Sequence, residues 1–431
     1  MIVAIAAAII FVQVLWRPTR SSAGPSVPVS VLALVGLGFL GLFQAMRWPA
    51  ALAKWISPGH VSLHSASAAI AENAADPGWV SFSLAPGASL GAGLGFLALA
   101  GLLFASFEIG RHRRPRRLVM AALGVALVTQ VLLGLKGLTQ PLPEIWGLQV
   151  QGPTGRLRGT FVNPNHAALF FEIGLSAAFA WVWWASRRGK GRIDLDRRLV
   201  SVLPACLAWG IVLLALILTG SRAGLLAAGF GLALQVFLVG RRMSRRWVVA
   251  TAGLAIAAAI VVLALVGGNR ALGRLLSTTP FEDNLQARAQ MTLPALRLWS
   301  RFPIIGVGLR SFEDGFPLVQ PQGELRATWN RAHNDPLELL VTGGVIGLLL
   351  FGAGAWLVGK RLLRVFSGSR RTENRAAALA ALGALAVVSI HELFDFGLTV
   401  PANALTLTML VGLAAGAGRT VRKRTRSETS A

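Results

Sequence analysis

The sequence predicts an all-α polytopic membrane protein with about eleven transmembrane helices and one long extracytoplasmic loop. Three observations carry that expectation. The 431 residues are 54% hydrophobic and only 14% charged, outside the range of soluble globular domains. Apolar runs of roughly 17–22 residues recur along the chain, long enough to cross a hydrocarbon core. Short arginine-rich stretches separate these runs, and they fall on one side if the helices alternate in direction.

In chain order, spans are expected near 2–16, 27–46, 89–109, 118–138, 165–185, 199–219, 223–239, 247–266, 337–358, 376–396 and 401–418. The organisation that follows is an amino-terminal helical block over 1–266, a long loop with short helices over 267–336, a carboxyl-terminal helical block over 337–418 and a basic tail over 419–431. The basic connections are Arg17/Arg20, Arg111–Arg117, Arg187–Arg198, Arg241–Arg246, Lys360–Arg375 and Arg419–Arg426. The positive-inside rule makes their common side cytoplasmic, with the amino terminus outside. The formal charge of +24 is therefore a topology signal, and no nucleic-acid partner is expected. Met1–Trp16 lacks a basic n-region, which argues against a cleaved signal peptide. Cys206 is the only cysteine and lies in an apolar run, so intrachain disulfides and thiolate clusters are excluded. Tyrosine is absent, leaving Trp and Phe to supply any interfacial belt.

The outer face then carries the candidates for chemistry. It holds the loop Arg47–Ala88, the segment Thr139–Asn165, the turn Thr219–Gly224, the loop Gly267–Asp335 and the stretch His391–Pro401. The long loop contains Arg270, Arg274, Arg288, Arg297, Arg301, Arg310, Arg326 and Arg331 and no lysine. Planar forked donors suit phosphate or carboxylate, although a long translocated loop also tolerates arginine without function. Within it, 283–302 reads as a helix broken or bent at Pro294, followed by a turn at Gly306-Val307-Gly308.

Arg222 lies between two spans with almost no loop, so its guanidinium sits at the outer lipid interface. A lipid diphosphate is a natural partner there, aided by backbone N–H groups of the turn with Ser221; snorkelling to ordinary lipid phosphate is the plainer explanation. Asn163 and Pro164 read as N-cap and first residue of the next helix, leaving Arg158, Asn165 and His166 for other work. Glu172, two turns on, is either functional or a buried interhelical hydrogen bond. In 331–338, Asp335 reads as an N-cap, Pro336 as the first helical residue and Glu338 as the closing member of a capping box. Capping leaves His333 and Asn334 unexplained, and an imidazole near a helix N-terminus tends to stay neutral and able to accept a proton. His391 and Asp395 stand at i and i+4, a spacing open to an acid–base pair, a metal or a structural pair. Asp194 and Asp196 form the only D-x-D stretch, on the cytoplasmic side and away from the other candidates, and read as a solvated loop.

Together, Gly159-Thr160-Phe161, Asn163-Pro164-Asn165, Thr219-Gly220-Ser221-Arg222, Arg288 with Trp299, Pro303 and Gly306-Val307-Gly308, His333-Asn334-Asp335 and His391–Asp395 resemble the O-antigen ligase and polymerase superfamily of bacterial envelope glycosyltransferases. The likeness runs from about Gly155 to Pro401. It implies a multi-pass enzyme of the bacterial inner membrane, active at the periplasmic face. Such enzymes transfer a glycan from undecaprenyl diphosphate to lipid A core or to a growing glycan, with no metal or other cofactor. The resemblance assigns diphosphate binding to Arg222 and Arg288 and the acceptor-side base to His333. Arg158, Asn163, Asn165, Ser221, Asn334, Asp335, His391 and Asp395 are further possible site residues. Relatives commonly have twelve spans with both ends cytoplasmic, against eleven here.

The residues themselves fit that chemistry. A neutral imidazole can take the proton of an attacking hydroxyl, and fixed guanidinium groups stabilise charge on a leaving diphosphate. Within the same superfamily the chain could polymerise repeat units or glycosylate protein. From another class, a lipid-linked oligosaccharide flippase would line a transmembrane path with charges, whereas only Glu108, Lys136 and Glu172 fall inside spans. A cytoplasm-facing transferase using Asp194 and Asp196 is the third possibility. The acceptor groove is expected between the long loop and the loop 47–88.

Overall fold

A computed structural model describes residues 28–70, 78–140, 142, 144–145, 147–149, 155–187, 195–240, 279–320 and 329–418; at 29, 69–70, 195–199 and 279–289 it describes the backbone alone. The helices are α1 (Val29–Ala45), α2 (Ala50–Ile56), α3 (Pro58–Ile70), α4 (Pro86–Gly110), α5 (Arg113–Leu138), α6 (Pro164–Ser186), α7 (Leu195–Thr219), α8 (Arg222–Gly240), α9 (Thr279–Arg301), α10 (Phe312–Gly315), α11 (Asp335–Gly368), α12 (Thr372–His391) and α13 (Pro401–Ala417). Two small antiparallel ladders join β1 (Arg47–Pro49) to β2 (Trp79–Ser81) and β3 (Glu144–Ile145) to β4 (Leu148–Gln149). The protein is a helical polytopic membrane protein. Among the described residues seven helices are long and apolar enough to cross a membrane, and α1 and α13 are shorter apolar helices. The stretches expected to span near 2–16 and 247–266 lie outside the described residues.

The bundle is closed by small residues that let helices approach. On α13, Gly412 and Gly416 sit where a Cβ would meet the Leu103 and Phe107 carbonyls of α4, and Gly110 of α4 faces the Leu413 backbone. Such contacts replace the hydrophobic driving force that lipid removes. Polar side chains join the interior: Gln235 of α8 donates to the Ser176 carbonyl of α6 at 2.9 Å and the Leu379 carbonyl of α12 at 3.1 Å. The basic connections meet at one end, where Arg113, Arg116 and Arg117 surround Glu373 and Arg361 donates to the Ala415 carbonyl. The candidate site lies at the other end.

A layer of non-spanning structure covers that other end. Residues 47–70, 78–85 and 302–320 pack as one body around Leu298, Phe302, Val307, Phe312 and Phe316. His60 of α3 sets its ring tilted against Phe302 at 4.5 Å, and the Leu84 N–H reaches the Val307 carbonyl. The layer is fastened to the bundle through a break in α11. At Gly344 the backbone takes φ 64° and ψ −168°, which interrupts the helical ladder. The segment 303–308 fills the gap: the Pro303 and Ile304 carbonyls accept from Val345 and Ile346, and the Val307 and Gly308 N–H groups reach Val341 and Thr342. Buried Gln44 of α1 adds three bonds, donating to the Ile305 and Thr342 carbonyls and accepting from Leu309 N–H. The crossing needs glycine twice, because a Cβ on Gly344 would lie 2.2 Å from the Ile304 oxygen and one on Gly306 2.4 Å from the Thr342 carbonyl carbon.

Three expectations are corrected by this geometry. The cap of α11 is Asn334, whose side chain accepts from Leu337 N–H at 2.9 Å, so Asp335 is the first helical residue. Glu338 closes no capping box; it binds Arg331 at 2.7 Å and the Ala332 N–H at 3.0 Å. The helix expected to reach 396 ends at His391, so His391 and Asp395 do not share a helical face. The turn expected at 306–308 is present, with Gly306 at φ 69° and Gly308 at φ 109°, and it lies against the break in α11; α9 before it runs unbroken from Thr279 to Arg301 with Pro294 inside it.

Two tests follow from this architecture. Gly344→Ala should lose about 1–3 kcal/mol from backbone strain and displaced hydrogen bonds. Gly352→Ala, where a Cβ meets nothing within 4 Å, should be neutral when both are compared by melting in detergent. Burial pushes the His60 imidazole down to about 3, because the fold excludes its charged form. Its contribution to stability is complete above the ordinary value of 6.5 and is lost progressively as pH falls towards 3. Melting temperatures taken across that window should fall with acid in the wild type, and the His60→Gln variant should lack that component of the slope.

Candidate functional site

The site is built at the end of the bundle opposite the arginine–Glu373 cluster, from four chain segments that the sequence holds far apart. The first is 155–166. Gly159, at φ 60°, turns the loop so that Thr160 exchanges hydrogen bonds with Gln130 of α5. Leu157 pairs with the Leu218 carbonyl of α7. Arg156 reaches across the loop, donating to the Thr219 carbonyl and, at 2.7 Å, to Asn165 Oδ1. Asn163 caps α6 as expected, accepting from Asn165 N–H. Buried Arg158 donates to the Val162 carbonyl of its own loop, and burial holds its guanidinium below its ordinary value.

The second segment is the α7–α8 turn. Gly220 takes φ 64°, and the buried Ser221 hydroxyl accepts from Gly224 N–H at 3.2 Å, capping α8. Arg222 is the first residue of α8 and is half-buried. Gly224 leaves room for a carboxylate: a Cβ there would lie 2.7 Å from Glu172 Oε1 and 3.1 Å from Ser221 Oγ. Glu172 thus rests against the positive end of α8, where a negative charge is favoured.

The third and fourth segments are 331–335 and 391–397. His391 Nδ1 hydrogen-bonds Glu172 Oε1 at 2.8 Å, with both side chains fully buried, and His391 Nε2 and Glu172 Oε2 are buried without a hydrogen-bond partner. Beyond the end of α12, Asp395 accepts the Phe396 N–H and turns its carboxylate between two imidazoles. Asp395 Oδ1 lies 3.7 Å from His333 Nδ1 and 3.8 Å from His166 Nε2. Both rings stand edge-on to Phe396, at 4.9 and 4.8 Å, and the Arg331 guanidinium lies over the same ring at 5.7 Å. His333 takes φ 51°, a left-handed conformation that a histidine tolerates better than most residues. Its Nδ1 is buried while 29% of the side chain stays exposed, so Nδ1 points inwards and the accessible part of the side chain lies elsewhere on it.

Backbone contacts lock the two segments together: Asp335 N–H donates to the Glu392 carbonyl at 2.9 Å, and Asn334 Nδ2 donates to the Leu393 carbonyl. Burial pushes the Glu392 carboxyl up to about 7, with the Asp395 and Glu172 charges adding to the rise. Asn403 of α13 donates to the His166 and Gly397 carbonyls and closes the ring of helices.

The sequence-predicted residues Arg222, Ser221, Asn163, Asn165, His333, Asn334, Asp335, His391 and Asp395 therefore all stand at one end of the bundle. Their roles divide. Asn163, Ser221 and Asn334 are helix caps. Asp395 faces His333, and His391 faces Glu172. Arg158 is spent partly on its own loop. The Arg288 side chain lies outside the described residues. Sequence reasoning gave no role to Arg156 or Phe396 and counted Arg331 only among the loop arginines; the Thr219 carbonyl that receives Arg156 and the rings that meet Phe396 are brought together only by folding. Among the described residues no three His, Cys, Asp or Glu side chains are arranged to hold a metal ion.

Residues 206–352 match the family described as O-Antigen ligase. The matched stretch includes α8 with Arg222, Arg288, His333 and the Gly344 break, and stops before α12. The match supports the resemblance to the O-antigen ligase superfamily read from the motifs. No curated protein matches the chain.

Removing one member of the buried pair leaves the other as an uncompensated buried group, at a cost of about 3–5 kcal/mol. Glu172→Ala and His391→Ala should each lower the melting temperature sharply. Replacing both, as Glu172→Leu with His391→Leu, should recover a large part of that loss. A double variant as unstable as the singles would mean that the two groups act independently.

Proposed function

We propose that the protein is a glycosyltransferase of the O-antigen ligase type. In this reading it moves a glycan from undecaprenyl diphosphate to an acceptor hydroxyl at the periplasmic face of the bacterial inner membrane. The observation that carries the reading is the placement of Asp395 against the buried Nδ1 of His333, in a chain whose residues 206–352 are similar to O-antigen ligases.

Asp395 favours the tautomer with the proton on His333 Nδ1, as the carboxylate does in a nucleophile–base–orienter triad. Nε2 is then the proton acceptor. The acceptor hydroxyl attacks the anomeric carbon, its proton passes to Nε2, and the bond from that carbon to the diphosphate oxygen breaks. Arg222, at the head of α8, and Arg288 hold the diphosphate and stabilise the charge it gains on leaving. The 3.7 Å separation exceeds hydrogen-bond reach, and catalytic contacts of this kind commonly tighten when substrate binds. Asn334, Asp335 and the Leu393 and Glu392 carbonyls fix the backbone that presents His333. Segments 47–70, 78–85 and 302–320, which form one layer beside the site, supply the acceptor surface.

The test uses purified protein in bilayer discs with an undecaprenyl-diphosphate glycan and lipid A core. His333→Ala should lower transfer by about 10²–10⁴-fold, the usual worth of a general base. Arg222→Ala and Asp395→Asn should also lose activity while melting like the wild type. Undiminished transfer by His333→Ala would end the reading. Glycan lengthening without attachment to lipid A core would identify the polymerase branch, and movement of donor across vesicles with no new glycosidic bond would identify a transporter.

A further inference from the structure

Beside the bundle, and away from the site, the helices leave a groove. Helix α5 is the least buried of the spans, with 11% of its most apolar stretch buried against 67% for α6. Between α5, α6, α7, α12 and α13 lies an apolar cavity of about 930 Å³, near the upper end of the ~300–1,000 Å³ typical of ligand pockets. It runs from Arg116, Arg117 and Glu373 at the basic end to Val131, Phe170 and Val212.

Two features decide what fills it. Towards the candidate site the groove is stopped by a packed cluster in which Leu157 and Phe161, from the 155–161 loop, lie against Val131, Phe170 and Val212. A Cβ on Gly134, one turn beyond Val131, would touch Leu157 at 2.6 Å. A chain leaving the site therefore meets a wall. At the basic end the charge is unbalanced. Arg113, Arg116 and Arg117 share the single carboxylate of Glu373, Arg114 stands beside them exposed, and the only other described carboxylate at this end, Glu108, is paired with Arg111. Arg113, Arg114, Arg116 and Arg117 thus exceed Glu373 by three positive charges beside an apolar groove that Arg116 and Arg117 themselves line.

We propose that this groove is a binding site for an anionic phospholipid of the bilayer, from the leaflet on the basic side. Its phosphate lies against Arg114 and Arg117 and its acyl chains run between α5, α6 and α7. The lipid completes the packing of α5 and so supports the Gln130–Thr160 contact through which α5 holds the site loop.

The test uses the full-length protein in neutral phosphatidylcholine discs, with phosphatidylglycerol as the probe, read by native mass spectrometry of retained lipid and by melting temperature. The wild type should retain phosphatidylglycerol in preference to phosphatidylcholine and melt higher in its presence. The Arg114→Gln, Arg117→Gln double variant should weaken retention by about thirtyfold, the attraction of two arginines for an anionic headgroup. Gly124 lines the groove, and a Cβ there meets nothing within 4 Å, so Gly124→Phe should fold and exclude the lipid. Equal retention of the two lipids, retention unchanged in either variant, or displacement of the lipid by a polyprenyl phosphate would overturn the proposal.

Discussion

The hydrogen bond between the Glu172 carboxylate and the His391 imidazole is the constraint on which the rest of the site depends. Two ionisable groups buried inside a membrane-spanning bundle survive only if they satisfy one another, and here they do so across α6 and α12 at 2.8 Å. The bond fixes the end of α12, and from that end Phe394 N–H returns to the His391 carbonyl. The chain then leaves the helix and carries Asp395 out to the two imidazoles. Gly224 matters for the same reason, because a side chain there would occupy the space of the carboxylate at the start of α8.

A second constraint acts from the other side. His333 lies on a loop, and loops are poor places to hold a reacting group unless something rigid stands under them. Here the support comes from a broken helix. The backbone groups that α11 gives up at Gly344 are taken by 303–308, so the covering layer and the helix that presents His333 are fastened by the same set of hydrogen bonds. Glu338 adds a local clasp by holding Arg331 and the Ala332 N–H, one residue before His333.

Much of this was legible in the sequence, and the reasons for the rest are physical. Helix positions follow from apolar runs between arginine clusters, and the described helices from α4 to α8 lie close to their expected limits. Boundaries were harder. Asn334 and Asp335 are both competent caps, and the choice between them is settled by the Glu392 carbonyl that receives Asp335 N–H, a partner 57 positions away. Reading His391 and Asp395 as a helical pair failed because α12 ends at His391, where Glu172 has captured the ring. That pairing spans 219 positions and has no local signature. The break at Gly344 went unread within an apolar run, and the segment 303–308 that fills it cannot be read from spacing. Arg158 drew attention over Arg156 although both stand in one loop; only the fold shows that Arg156 links Asn165 to the Thr219 carbonyl.

These elements give one account: at one end of a helical bundle two imidazoles flank a carboxylate, a helix-initiating arginine stands at the same end, and the proposal places a lipid-linked diphosphate sugar there. The most direct measurement is photo-crosslinking of the protein in bilayer discs by an undecaprenyl-diphosphate glycan with a diazirine next to the diphosphate. The account predicts labelled peptides containing 219–224 and 329–334, lost on competition with unlabelled donor. Labelling concentrated instead around 113–117 and 370–375, at the basic end, would contradict it.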